Sequence, residues 1–152
     1  MLDERALEDY LHAQIPLSAA MGVSVVSADG DGVLLRAPLG PNVNHKKTVF
    51  GGSASAVAIL AAWSVLYLRL IEAGRDGEIV IQSNETAYER PIATEFEARA
   101  ELADPGAWPR FLTMFDRKGR ARLEIRSVLT CRGTVVGGLR GNFVALRRHP
   151  RT

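Results

Sequence analysis

The spacing of apolar residues changes character several times along the chain, and each change marks an element. Between Leu2 and His12, the residues Leu2, Ala6, Leu7, Tyr10 and Leu11 share one helical face, with Asp3, Glu4, Glu8 and Asp9 on the other. The acids near its start suit the positive end of a helix dipole. Pro16 interrupts the pattern, and Leu17–Met21 has room for one further turn. Val23–Ser27 and Val33–Pro38 read as strands joined by the D-G-D-G turn at Asp29–Gly32. Then, from Thr48 to Leu68, the chain carries no charge. Gly51-Gly52-Ser53 opens this run, with Gly52 or Ser53 placed to cap it, and Gly74 supplies a stop. The spacing predicts a helix over Gly51–Ala73, ~35 Å long at 1.5 Å per residue.

A helix apolar on every side is enclosed by protein or by lipid. This one is rich in Ala, Gly and Ser, and alternating strands follow it. Enclosure by a sheet is therefore expected, and no membrane span. The strands read as Glu78–Glu89, Thr94–Leu102, Arg122–Cys131 and Thr134–Leu146, with an amphipathic helix at Trp108–Lys118. In Thr94–Leu102, Phe96, Ala98, Ala100 and Leu102 alternate with Glu95, Glu97, Arg99 and Glu101, so one face is buried and one wet. Gly137, Gly138 and Gly141 in the last strand predict a bulge or a close approach. Arg147–Thr152 reads as a basic tail. The order predicts an α+β domain over residues 1–152, one antiparallel sheet wrapped on one long helix.

Composition changes this picture little. The 152 residues are 47% apolar and 24% charged, with a net charge of +2, too small an excess to argue for nucleic acid. Cys131 is the single cysteine, which suits a reducing, cytoplasmic setting. His12, His45 and His149 are too scattered for a zinc pattern.

The stretch Asn44, then Thr48-Val49-Phe50-Gly51-Gly52-Ser53, resembles the N-x(3)-G-T-x-H-G-G pattern of PaaI-type acyl-CoA thioesterases. Tyr88-x-x-Pro91 and Gly141-x-Phe143 are similar to later marks of that group. The Phe-Gly-Gly-Ser variant and Trp63 resemble most the thioesterase family of the YiiD C-terminal type. The resemblance spans Val23–Leu146 and implies the hot-dog fold. It also implies a homodimer or dimer of dimers, and hydrolysis of an acyl thioester, as in fatty-acid metabolism. Coenzyme A or phosphopantetheine would enter as part of the substrate, acyl-CoA or acyl-carrier protein, with no separate cofactor and no metal. Two departures matter. Phe50 stands where PaaI-type enzymes have His, and Ala58, Ile59 and Leu60 stand where they carry a helix acid.

A thioesterase must polarise a carbonyl and deliver a water. Phe50, Gly51, Gly52 and Ser53 are the expected substrate-binding turn, because backbone N–H groups at a helix start are unpaired and lie at the positive end of the dipole. The glycines could instead serve only close packing of helix on sheet. Asn44 could orient a water or donate to the carbonyl, or simply cap its loop. His45 could be a base, or a solvated loop residue. Glu85, assigned to one strand face with Ile81, Ser83 and Ala87, could arrive from a neighbouring subunit, or be an exposed strand carboxylate. Arg117, Lys118, Arg120 and Arg122, with Arg140, Arg147 and Arg148, could meet an acidic carrier or phosphates, or form a solvated face. The missing helix acid keeps a second reading open: a module that binds acyl thioesters without cleaving them.

Overall fold

The computed structural model of the protein describes residues 2–148. Its elements are α1 (Glu4–Gln14), α2 (Pro16–Ala20), β1 (Ser24–Ala28), β2 (Val33–Ala37), α3 (Gly51–Glu72), β3 (Gly77–Tyr88), β4 (Phe96–Leu102), α4 (Trp108–Lys118), β5 (Arg120–Cys131) and β6 (Thr134–Arg147). The six strands form one antiparallel sheet in the order β1-β2-β4-β5-β6-β3. The sheet curves around α3, the hot-dog arrangement.

Alternation places the core. Val33, Leu35 and Ala37 of β2, Phe96, Ala98, Ala100 and Leu102 of β4, and Leu123, Ile125 and Leu129 of β5 are buried on the face that meets α3. Small buried residues on both partners, Ala98 and Ala100 of β4 and Ala54, Ala58, Ala61 and Ala62 of α3, let helix and sheet approach closely. Val57, Leu60, Val65, Leu66, Leu68 and Leu70 of α3 are also buried. Each gains ~1.5–3 kcal/mol on full burial, well above the few tenths that separate helix propensities. Packing rather than propensity therefore holds this helix. The same length and apolarity would suit a membrane span, but 61% of its most apolar window is buried inside the protein. Two hydroxyls on the interface are satisfied by helix carbonyls: Ser127 donates to Ala58 O at 2.7 Å and Ser64 to Leu60 O at 2.7 Å.

Bulges interrupt the ladders at Val26, Gln82 and Val136. The one at Gln82 matters most. Ile81 lies opposite the buried Phe143, but after the extra residue Ser83 lies opposite Asn142 and Glu85 opposite Arg140. One inserted residue exchanges the two faces of a strand. Glu85, Ser83 and Ala87 thus lie on the outer face, away from α3, whereas Ile81 faces in. The expectation that Glu85 shares a face with Ile81 is corrected. In β6, Leu129 pairs with Gly137 and Thr130 with Val135, leaving Val136 as the extra residue. The glycines there do mark a close approach, since a Cβ on Gly137 would collide with the Ala87 carbonyl oxygen.

The far end of α3 is closed. Gly74 takes the left-handed conformation (φ +69°) and its N–H donates to Ile71 O, while Arg75 N–H donates to Leu70 O. Arg75 then clasps Asp116 of α4 through two hydrogen bonds of 2.7 Å. That guanidinium holds the Asp116 carboxyl below its ordinary range. Arg69 lies over the Trp108 ring at 5.3 Å. Arg147 is no part of a loose tail. It ends β6, and its guanidinium donates to the terminal α4 carbonyls of Phe115 and Asp116, satisfying acceptors that a helix end leaves open. Residues 149–152 of the expected tail, including His149, lie outside the described residues.

Helix α1 covers the other side. Its Glu8 carboxylate accepts the Val25 N–H at 2.8 Å, which occupies part of the β1 edge. Tyr10 stacks on Tyr67 at 4.6 Å, and Tyr67 on Trp63 at 5.0 Å. The Trp63 indole donates to Ile79 O at 3.1 Å, tying α3 to β3. Burial, and then the hydrogen bond with Tyr10, push the Tyr67 hydroxyl up to about 12.

Candidate active site

The opening of α3 is built differently from its close. Phe50, not Gly52 or Ser53, is the N-cap residue, with extended backbone (φ −61°, ψ 133°), and no side chain caps the turn. Its N–H donates to Asn42 O at 2.8 Å, and its carbonyl accepts from Ser53 N and Ala54 N. Among the described residues, the N–H groups of Gly51 and Gly52 therefore have no partner. They lie at the positive end of a 22-residue helix.

Neither glycine has a positive φ, so backbone conformation does not demand glycine here. Nor does packing on the sheet, because a Cβ on Gly51 would make an ordinary 3.5 Å contact with the Tyr88 ring. A Cβ on Gly52 would meet the Phe50 ring at 2.5 Å, and that ring is itself 59% exposed. The glycines instead leave the two donors accessible. Beside them runs a groove of about 360 Å³, whose walls include Thr48, Gly51, Ala54, Tyr88, Glu89 and Arg90.

The loop before the helix is held by Asn44. Its Oδ1 accepts from Lys46 N at 2.8 Å and Thr48 N at 3.2 Å, and its Nδ2 donates to Thr48 Oγ1 at 3.0 Å. Both ends of the amide serve the loop, which carries Lys47 in the left-handed region (φ 62°). His45 is exposed on the same loop. The Val49 N–H donates to Ile92 O at 2.8 Å and joins this loop to the segment that follows β3. Ser53 is half-buried and its N–H is used by the turn. Ser55 donates to Gly52 O at 3.1 Å. Where PaaI-type enzymes have a helix acid, Ala58 is fully buried and Leu60 is 5% exposed.

The tertiary structure thus brings together Phe50, Gly51 and Gly52, with Asn44 and His45 on the adjoining loop. It puts Glu85 on the other face of the sheet. It adds Tyr88, Glu89 and Arg90, which in the sequence stand out only as part of the Y-x-x-P mark. The basic cluster also divides. Arg140 faces Glu124 at 3.8 Å, Arg148 faces Asp76 at 3.3 Å, and Arg147 is bound to α4. Arg117, Lys118, Arg120 and Arg122 have no carboxylate within 4.0 Å among the described residues, and Lys118, Arg120 and Arg122 line one surface groove.

The family model described as "Putative thioesterase (yiiD_Cterm)" matches residues 4–147. A protein of unknown function from Chlorobaculum tepidum TLS superposes with a TM-score of 0.88 at 26% identity, covering 97% of this chain and 98% of that one. The structure of the putative thioesterase from Shewanella oneidensis superposes with a TM-score of 0.84 at 25% identity, over 94% and 96% of the two chains. A thioesterase from Haemophilus influenzae shares the fold, with a TM-score of 0.77 at 13% identity over 99% and 96%. With the match running from the first turn of α1 to the last residue of β6, the chain belongs to the yiiD C-terminal thioesterase family, on a hot-dog fold.

Proposed function

We propose that this chain hydrolyses acyl thioesters, carried on coenzyme A or an acyl-carrier protein, at the opening of α3. The observation that carries this reading is the pair of unpartnered N–H groups at Gly51 and Gly52 among the described residues, with Gly51 in the wall of an open groove, in a member of a thioesterase family. The thioester oxygen accepts from these donors, water attacks the carbon, and the negative charge on oxygen falls at the helix dipole's positive end. One such donor is worth ~10²–10³ in rate. The exposed Phe50 ring, beside Gly52, offers an apolar wall for the acyl or pantetheine chain. Asn44 sets the loop, and His45 stands on it as a solvent-facing imidazole. Coenzyme A or phosphopantetheine is consumed as part of the substrate.

The reading includes a homodimer, alone or paired into a dimer of dimers. Strand β1 is five residues long and its edge is partly taken by Glu8. Strand β3 is twelve residues long, is paired among the described residues only with β6, and exposes Val80 (47%) and Tyr88 (58%). A long open edge next to apolar side chains is a template for another strand. Light scattering at micromolar concentration should give at least twice the chain mass, and a monomer would remove this part of the reading.

One observation favours the non-hydrolytic module instead: the apolar, buried helix positions around Ala58. A panel of acyl-CoAs and acyl-carrier proteins, followed by release of free thiol, separates the two. Thiol release supports hydrolysis, and saturable binding with no release at any chain length supports the module.

A further inference from the structure

We propose that Glu89 is the general base of this site, the carboxylate that α3 lacks. The proposal rests on the hydrolytic reading above. A base is needed beside a carbon held over Gly51 and Gly52. The first carboxylate on α3 is Glu72, at the opposite end of the helix. The Asn44 amide is engaged within its own loop, and Glu85 lines the outer groove but not the one that contains Gly51. Among the described residues, Glu89 is the one carboxylate in the wall of the groove that contains Gly51, and at the end of β3 it borders the outer groove as well.

Its backbone is fixed on two sides. The N–H groups of Glu89 and Arg90 both donate to the carbonyl of the bulged Val136, at 2.9 and 3.1 Å. Gly137, with no Cβ, lets the end of β3 come down onto β6 at this point. Ile92, three residues on, accepts from Val49, which ties the strand end to the loop entering α3. The carboxylate itself makes no hydrogen bond or ion pair among the described residues, and both oxygens are available to accept a proton. The charged and titratable groups near it are Tyr88 and Arg90 on its own segment, and Glu85, Arg126 and Arg140, which line the outer groove together with Glu89.

The step balances without a cofactor. Glu89 takes a proton from water as the water oxygen bonds to the thioester carbon, and the carbonyl electrons move onto oxygen at the Gly51 and Gly52 N–H groups. Collapse of this intermediate breaks the carbon–sulfur bond. The thiolate leaves with the proton held by Glu89, giving a carboxylic acid and a thiol.

The test uses the full chain and the best acyl-CoA of the panel. Glu89→Gln should lower kcat by about 10²-fold or more, as loss of a general base commonly does, with KM little changed and the parent's circular dichroism and melting curve retained. The acid limb of the parent pH–rate profile should vanish in this variant. Formate added to Glu89→Ala should restore part of the rate. An E89Q variant with near-parent kcat overturns the proposal, as does an acid limb that persists in E89Q and disappears in His45→Ala. If E89Q stays active while Gly52→Val is dead, the base assignment falls and the helix-start reading stands. A parent that releases no thiol overturns both.

Discussion

The two ends of α3 are opposites. At its close, every device ties the helix down: a left-handed glycine, the Arg75–Asp116 clasp, Arg69 over Trp108, and Phe115 buried under Arg147. At its opening, among the described residues, no side chain caps the turn and two N–H groups lack partners, and an aromatic ring lies exposed beside them. A helix end left uncapped costs about 1 kcal/mol relative to a good cap. The packed far end and buried length more than offset that. The difference teaches that one end supplies stability and lets the other remain open for chemistry.

Breaking the closed end should have the largest energetic effect. Phe115 is 2% exposed and stacks on Phe111. Phe115→Ala should cost about 3–5 kcal/mol of stability, read by urea denaturation, while kcat per folded molecule stays near the parent value.

The open end should give the reverse pattern. Gly52→Val should reduce kcat/KM by about 10²-fold, equivalent to about 2.7 kcal/mol of transition-state stabilisation. Its added carbons meet the exposed Phe50 ring, a side chain rather than backbone, and a β-branched residue in the first turn costs the helix only about 0.5 kcal/mol. A variant that melts like the parent and turns over like it would end the oxyanion assignment.

Asn44 distinguishes a loop-setting role from direct contact with substrate. Asn44→Ala removes hydrogen bonds worth roughly 1 kcal/mol net, so kcat/KM should fall about fivefold. Asn44→Asp keeps the Oδ1 acceptor for Lys46 and Thr48 N–H and should retain most of the activity. A fall of about 10²-fold in both variants would mean that the amide touches the reacting atoms.

The smallest effect is expected along the side of α3 that meets α1. Tyr67 has a hydroxyl pKa raised from 10.0 to about 12, by burial first and the Tyr10 hydrogen bond second. A raised value means that the folded state holds the proton more tightly than the unfolded chain. The resulting stability is complete below pH 10 and is lost as pH rises toward 12. The melting temperature of the parent should therefore drop across that window, with a shallower drop in Tyr67→Phe. Equal slopes would show that Tyr67 is not the group responsible.

Much of this architecture was legible in the chain. The alternation of Phe96–Leu102 and Leu123–Leu129, the uncharged run after Gly51, and the amphipathic Trp108–Lys118 each gave the right element, because burial on one face imposes a period. Gln82–Thr86 gave no such warning. Its residues are all polar, so no alternation betrays the bulge at Gln82, and Glu85 was placed on the wrong face. Arg147 read as tail because its bonds go to carbonyls of α4, which are distant in sequence.

By itself the sequence determined the long enclosed helix, the strand set around it and the glycine turn that opens it. Those follow from local propensity and from the spacing of apolar residues, which each segment carries alone. Only the tertiary structure decided which face Glu85 occupies, that Asn44 is spent on its own loop, and that Glu89 lies in the groove beside Gly51. Those outcomes depend on strand register, on an extra residue in β3 and another in β6, and on hydrogen bonds between segments far apart in the chain, such as Val136 to Glu89 and Ile92 to Val49. No single segment contains the partner that fixes it.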